Sequence, residues 1–150
     1  MLKEGDLAPQ IQLQTDAGEP FDLYGVRGKK VVLFFYPRAS TPGCTVEACE
    51  FRDTFKKFEK KGVLVLGISK DSPKAQTRFK ENQDLPFTLL CDEDKKVADA
   101  YGVWKEKNMY GKKVMGIERT TFVIDEQGKI QKIFSKVKPA GHAEEVLASL

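Results

Sequence analysis

Val31-Val32-Leu33-Phe34-Phe35-Tyr36, continued by Pro37-Arg38-Ala39-Ser40-Thr41-Pro42-Gly43-Cys44-Thr45-Val46-Glu47-Ala48-Cys49, is the stretch whose reading decides the fold. Six successive apolar or aromatic residues, with no polar alternation, predict a strand buried on both faces. Pro37 to Ser40 interrupts the run. Thr41-Pro42 then announces a helix, because threonine suits the N-cap and proline the first helical position. Phe51, Phe55 and Phe58 give that helix an apolar stripe as far as about Lys61, and Gly62 fits its C-terminal stop. A second continuously apolar run, Val63 to Ser69, follows at once. Strand, helix and strand in that order form the unit from which parallel sheets are built.

Outward from this unit, Ile11 and Leu13 alternate with polar residues and Asp16-Ala17-Gly18-Glu19 turns the chain toward Phe21-Asp22-Leu23, a short N-terminal hairpin. Ser72 and Pro73 start another helix as N-cap and first helical residue. Phe87 to Leu90 reads as a short strand, and Asp94 to Tyr101 as a short helix closed by Gly102. Residues 120–124 and 130–134 form a hairpin around Asp125-Glu126-Gln127-Gly128-Lys129, and 141–149 a final helix. Crossover helices make the first strands parallel and the hairpin adds antiparallel ones. The expectation is an α/β fold in one domain, 1–150, with a mixed sheet flanked by helices on both faces: a thioredoxin-like architecture with an N-terminal β-hairpin extension.

Composition narrows the function. The 150 residues are 41% hydrophobic and 31% charged, with a net charge of +3 from 25 Lys+Arg against 22 Asp+Glu. Lysine doublets alternate with acids, so nothing argues for nucleic acid. No apolar stretch approaches the ~20 residues that cross a bilayer, and the first residues lack a signal-peptide core. A cytoplasmic protein with no membrane partner is expected, and three cysteines in a reducing compartment are reactive or buried rather than a disulfide framework.

Cys44 stands at the third helical position, where free N–H groups and the helix dipole favour thiolate, the nucleophilic form. Gly43 beside it allows close approach of substrate or backbone. Thr41 is a helix cap whose hydroxyl can also meet a substrate held over the sulfur. Cys49 lies five positions on. In an intact helix that spacing gives a Cα separation of ~8.6 Å, beyond the roughly 7 Å limit for a disulfide. The two cysteines are therefore either unrelated or joined only when the helix end unwinds. Cys91, after a buried strand, reads as a structural thiol. Arg119 opens an apolar strand and is either a surface ion-pair partner or a fixed cation near Cys44. His142, the only histidine, sits beside Gly141 in a polar terminal stretch and is expected to be exposed and idle, which removes a Cys–His dyad. The cysteine spacing resembles neither a zinc site nor a Cys-x-x-Cys reductase.

These residues resemble the peroxiredoxins. Pro37, Thr41 and Cys44 meet the Pro-x-x-x-Thr-x-x-Cys pattern, and Phe35 through Cys49 is most similar to the bacterioferritin comigratory protein, or peroxiredoxin Q, group. Gly5-Asp6-Leu7-Ala8-Pro9, Leu66-Gly67-Ile68-Ser69, Phe87-Thr88-Leu89-Leu90, Tyr101-Gly102-Val103-Trp104 and Arg119 to Asp125 extend the likeness over nearly the whole chain. The resemblance implies a thiol peroxidase acting on hydrogen peroxide and organic hydroperoxides. Cys44 matches the peroxidatic cysteine and Cys49 the resolving one. Thr41 and Arg119 match the residues that hold peroxide and activate sulfur, Pro37 the proline that shields the pocket, and Glu47 a polar position near it. Some members carry the resolving cysteine in the next helix, near Phe79, where this chain has none. Cys91 departs from the group, which commonly has serine there.

The implied cycle makes a sulfenic acid on Cys44, then an intramolecular Cys44–Cys49 disulfide that a thioredoxin or similar dithiol reduces. No metal, haem or flavin is implied, since sulfur carries the electrons. A monomer is implied as well. Two other classes compete: a redox switch whose disulfide changes partner binding, and a non-catalytic binding module with incidental thiols.

Overall fold

The computed structural model describes residues 2–150. Nine strands and four helices follow in the order β1 (Gln12–Thr15), β2 (Pro20–Asp22), β3 (Lys30–Phe35), α1 (Pro42–Lys60), β4 (Val63–Ser69), α2 (Pro73–Gln83), β5 (Thr88–Cys91), α3 (Lys96–Ala100), β6 (Trp104–Met109), β7 (Lys112–Ile117), β8 (Thr120–Ile124), β9 (Ile130–Phe134) and α4 (His142–Ala148). Seven strands form one sheet in the order β2-β1-β5-β4-β3-β8-β9. β3, β4 and β5 are parallel, while β8 runs antiparallel to β3 and β1 antiparallel to β5. The mixed sheet with its N-terminal hairpin is the expected architecture.

β3 is central and buried on both sides because its alternating residues serve two cores. Val32, Phe34 and Tyr36 pack with Phe51 and Phe58 of α1, Phe79 of α2 and Val146 of α4. Val31, Leu33 and Phe35 pack with Val97 and Ala98 of α3, Tyr101 and the N-terminal Ala8 and Ile11. The Phe34 and Phe51 rings stack at 4.6 Å. Each fully buried aromatic of this kind contributes ~1.5–3 kcal/mol, far more than exposed ion pairs such as Lys96–Asp94.

Helix ends follow local chemistry. Ser72 accepts from the Ala75 amide as a true N-cap, and Gly62, at φ +70°, closes α1. α3 is shorter than expected, starting at Lys96 rather than Asp94. Lys95 is left-handed, and the buried Asp92 carboxylate accepts from the Val97 and Ala98 amides, which fixes the later start.

The β6–β7 hairpin has no counterpart in the sequence reading, which leaves 103–118 unassigned. Its turn, Tyr110-Gly111, has positive φ at both residues, as a two-residue hairpin turn requires. The lysine-rich strands masked it, because β6 and β7 pair only with each other and bury little apolar surface.

Candidate active site

α1 begins shortly after β3 ends, and its first turn holds Cys44, the candidate nucleophile. Thr41 occupies the N-cap position with extended backbone, Pro42 is the first helical residue, and Cys44 is 1% exposed at the third. The Thr41 side chain does not cap the helix. Its hydroxyl donates to the Arg38 carbonyl at 2.8 Å, while its own carbonyl accepts from the Thr45 amide and hydroxyl. Thr41 is thus a backbone cap whose side chain closes the preceding turn. Ser40, left-handed at φ +65°, makes that turn possible.

Arg119 immediately precedes β8. Antiparallel pairing sets Thr120 opposite Phe35, so the start of β8 lies beside the end of β3 and the start of α1. One guanidinium N–H donates from Nη2 to Cys44 Sγ at 3.4 Å, and Nη1 donates to Glu47 Oε1 at 2.7 Å. Gly43 permits this approach: a Cβ there would lie 3.2 Å from Arg119 Nη2 and 3.6 Å from Pro139 Cγ. Burial by itself lowers the Arg119 pKa, but the Glu47 and Cys44 charges outweigh it and hold the guanidinium above its ordinary value. Glu47 is fully buried. Desolvation raises its carboxyl to about 7 against the pull of Arg119, and Oε2 has no hydrogen-bond partner. Pro37, half-buried, leads out of β3 toward the same turn.

A buried polar network, absent from the sequence reading, fixes the loop before α1. Tyr36 OH donates to Gln76 Oε1 at 2.6 Å, and Gln76 Nε2 donates to Ser69 Oγ at 3.0 Å. Ser69 donates to Asp71 Oδ2 at 2.6 Å, and the same oxygen accepts the Ala39 amide at 2.7 Å. Desolvation holds the Tyr36 hydroxyl well above its ordinary pKa, so it stays a donor. Gln76 sits on the inner side of α2 by helical spacing, but no local pattern pairs it with Tyr36, forty residues away. Lys107 of β6 was also missed. Its side chain lies along Gly116, and its pKa is lowered, first by burial and then by the Arg119 charge, while the Cys44 charge opposes the shift.

Cys49 is half-buried on the same helix but faces away from Cys44. Its thiol donates to Gln83 Oε1 at the end of α2, at 3.4 Å. All three cysteines are free. Cys91 ends β5, is 5% exposed, and has its thiol pushed up to about 12, chiefly by desolvation.

His142 corrects the sequence reading. It is 2% exposed, not a surface residue. α4 lies against α1, and the ring meets the edges of Phe51 and Phe134. Nδ1 is 3.0 Å from Glu145 Oε1 and Nε2 is 2.7 Å from Thr121 Oγ1. A carboxylate only accepts, so Nδ1 carries the proton and Thr121 donates to Nε2. Burial lowers the His142 pKa, with Glu145 opposing, so the ring is neutral. Both nitrogens are engaged away from Cys44. Among the described residues, no group of three or more His, Cys, Asp or Glu side chains is placed to hold a metal ion. No helix there is long and apolar enough to cross a membrane.

A thiol at a helix N-terminus against an arginine, which a buried carboxylate braces, is suited to nucleophilic attack with stabilisation of a departing oxygen anion. Comparison with known proteins points the same way. Residues 5–133 match the AhpC/TSA family. The chain is 54% identical over 149 residues to a Coxiella burnetii protein carrying a Bcp peroxiredoxin name, covering 99% of each. It is 46% identical to peroxiredoxin Bcp of Bacillus subtilis, covering 99% of this chain and 95% of that one. The bacterioferritin comigratory protein of Xanthomonas campestris, solved for insight into its alkyl peroxide reduction activity, superposes with a TM-score of 0.88 at 42% identity, covering 93% of this chain and 88% of the other.

Proposed function

The chain belongs to the AhpC/TSA family, among the Bcp peroxiredoxins, and from that premise we propose how its thiol peroxidase activity is divided among its own residues. Cys44 thiolate attacks the terminal oxygen of a hydroperoxide. The O–O bond breaks, sulfur becomes sulfenic acid, and water or an alcohol departs. Arg119 offsets charge on the sulfur and on the leaving oxygen. Thr41 and the free amides of the first α1 turn hold the peroxide, with Pro37 and Gly43 shaping the space around it. Glu47 braces Arg119. Cys49 then resolves the sulfenic acid as an intramolecular disulfide, which a thioredoxin-like dithiol reduces by exchange. The observation that carries this reading is the Arg119 Nη2 contact to Cys44 Sγ at 3.4 Å, at a helix N-terminus. The alkyl peroxide activity of the Xanthomonas campestris relative supports organic hydroperoxides among the substrates.

The site is assigned as acting in a monomer in the cytoplasm. Cys44→Ser should abolish peroxide turnover, whereas full activity in that variant would refute the assignment. Cys49→Ser should retain one oxidation event per chain, read as added oxygen on Cys44 by intact mass, and lose thioredoxin-coupled turnover. Undiminished steady turnover would remove Cys49 from the cycle.

A further inference from the structure

Cys49, a free thiol, is joined to α2. Its thiol donates to the Gln83 side chain at 3.4 Å. Arg52, three residues on and therefore on the same side of α1, donates from Nη1 to the Gln83 carbonyl at 2.7 Å. That carbonyl is one of the last of α2, which ends at the left-handed Asp84, and the last carbonyls of a helix have no partner within it. One residue of α2 thus receives two hydrogen bonds from one turn of α1, the turn that carries Cys49. Cys44 is held in a different direction, by Arg119 of the β8 edge.

We propose that Gln83 and Arg52 are positioning residues for the resolving step, a clasp that sets how quickly Cys49 reaches Cys44. The proposal rests on the reading of Cys49 as the resolving thiol. When the disulfide forms, the Cys44 S–O bond breaks and an S–S bond replaces it. The Cys49 proton leaves with the hydroxyl as water. The S–H donor is consumed, so the bond to Gln83 must break whichever turn of α1 unwinds. Arg52 holds the rest of that turn against α2 through a charge-assisted bond, the stronger of the two. Until the clasp opens, the Cys44 sulfenic acid remains exposed to a second peroxide molecule, which adds another oxygen to give sulfinic acid. The clasp therefore governs the partition between disulfide and over-oxidation and has no part in the first attack.

The test is intact-mass analysis of the full reduced protein after graded hydrogen peroxide, comparing loss of two hydrogens with gain of two oxygens, alongside the stopped-flow rate of the first oxidation. Gln83→Ala is expected to raise the ratio of disulfide to sulfinate roughly three- to tenfold, the worth of one neutral hydrogen bond, and Arg52→Ala to raise it further. The first oxidation rate stays unchanged in both. Gln83→Glu keeps an acceptor for the thiol and should hold the ratio at or below that of the parent. Thr77→Val removes a different α2 bond, to the Asp16 carbonyl, and should leave the ratio as it was, which separates the clasp from general loosening of α2. An unchanged or lower ratio in both alanine variants, with the Cys44–Cys49 disulfide present in the parent, overturns the clasp alone. Absence of that disulfide in the parent overturns the Cys49 reading and the clasp with it.

Discussion

Glu47 is a carboxyl group with no exposure, one oxygen on Arg119 and the other without a partner. Desolvation is the largest cause of its raised pKa, from an ordinary 4.5 to about 7. A carboxyl raised in the folded state binds its proton more tightly there than in the unfolded chain. Its stabilising contribution is full below 4.5 and is lost as pH rises through about 7. A shift of this size corresponds to on the order of 3 kcal/mol. Glu47→Gln keeps a hydrogen-bond acceptor for Arg119 and removes the titration. Urea unfolding should show the parent losing stability relative to this variant across that window, and parallel pH profiles would refute the assignment. Glu47 stands three residues after Cys44, so helical spacing alone puts both on one side of α1. Its missing partner and its bond to Arg119 could not be read that way.

Among the elements, β4 is where packing limits the sequence most tightly. A Cβ on Gly67 would lie 2.8 Å from Leu89 Cδ2, 2.9 Å from Phe34 Cζ and 3.1 Å from Tyr36 Cε1. Two aromatic rings and a leucine in a filled core have little room to yield. Gly67→Ala should therefore destabilise the protein by about 1–3 kcal/mol in chemical unfolding. It should also lower the rate of Cys44 oxidation, because Tyr36 starts the hydrogen-bonded chain through Gln76, Ser69 and Asp71 to the Ala39 amide. A loss of stability with unaltered oxidation kinetics would show that this chain does not position the loop. β4 itself was legible as an apolar run, and so was the Ser72 cap of α2. The β6–β7 hairpin was not, although Gly111 marked its turn. Its strands carry Lys105, Lys107, Lys112 and Lys113, so neither alternation nor an apolar run stood out.

Over the whole molecule, α4 closes the structure by packing on α1. His142 bonds to Thr121 of β8, and Glu50 of α1 accepts the Gly141 amide at 2.8 Å. The groups facing this seam are Glu145, Glu50 and Arg119, and burial outweighs the two carboxylates to lower the His142 pKa from 6.5. A histidine lowered in the folded state takes up its proton more readily when unfolded. Its contribution is full above 6.5 and is lost as pH falls through the folded value. This is opposite in sign to Glu47, and the two overlap, so the parent profile is flattened by cancellation. Added to a Glu47→Gln background, His142→Gln should remove the acid-side loss, so urea midpoints above and below 6.5 should differ less in the double variant than in Glu47→Gln alone. Equal differences in the two would refute the role given to His142. The sequence by itself determined the order of elements outside the β6–β7 hairpin, the two-faced burial of β3, the parallel core and a cysteine at a helix N-terminus. Apolar period, caps and turn residues act within a few residues of chain, so they can be read locally. Only the tertiary structure decided that Arg119 meets Cys44 across 75 residues, that Cys49 is tied to Gln83, and that the lone histidine is buried. Those contacts follow from which strands lie side by side and which helix faces are covered, and burial of the two cores around β3 sets both.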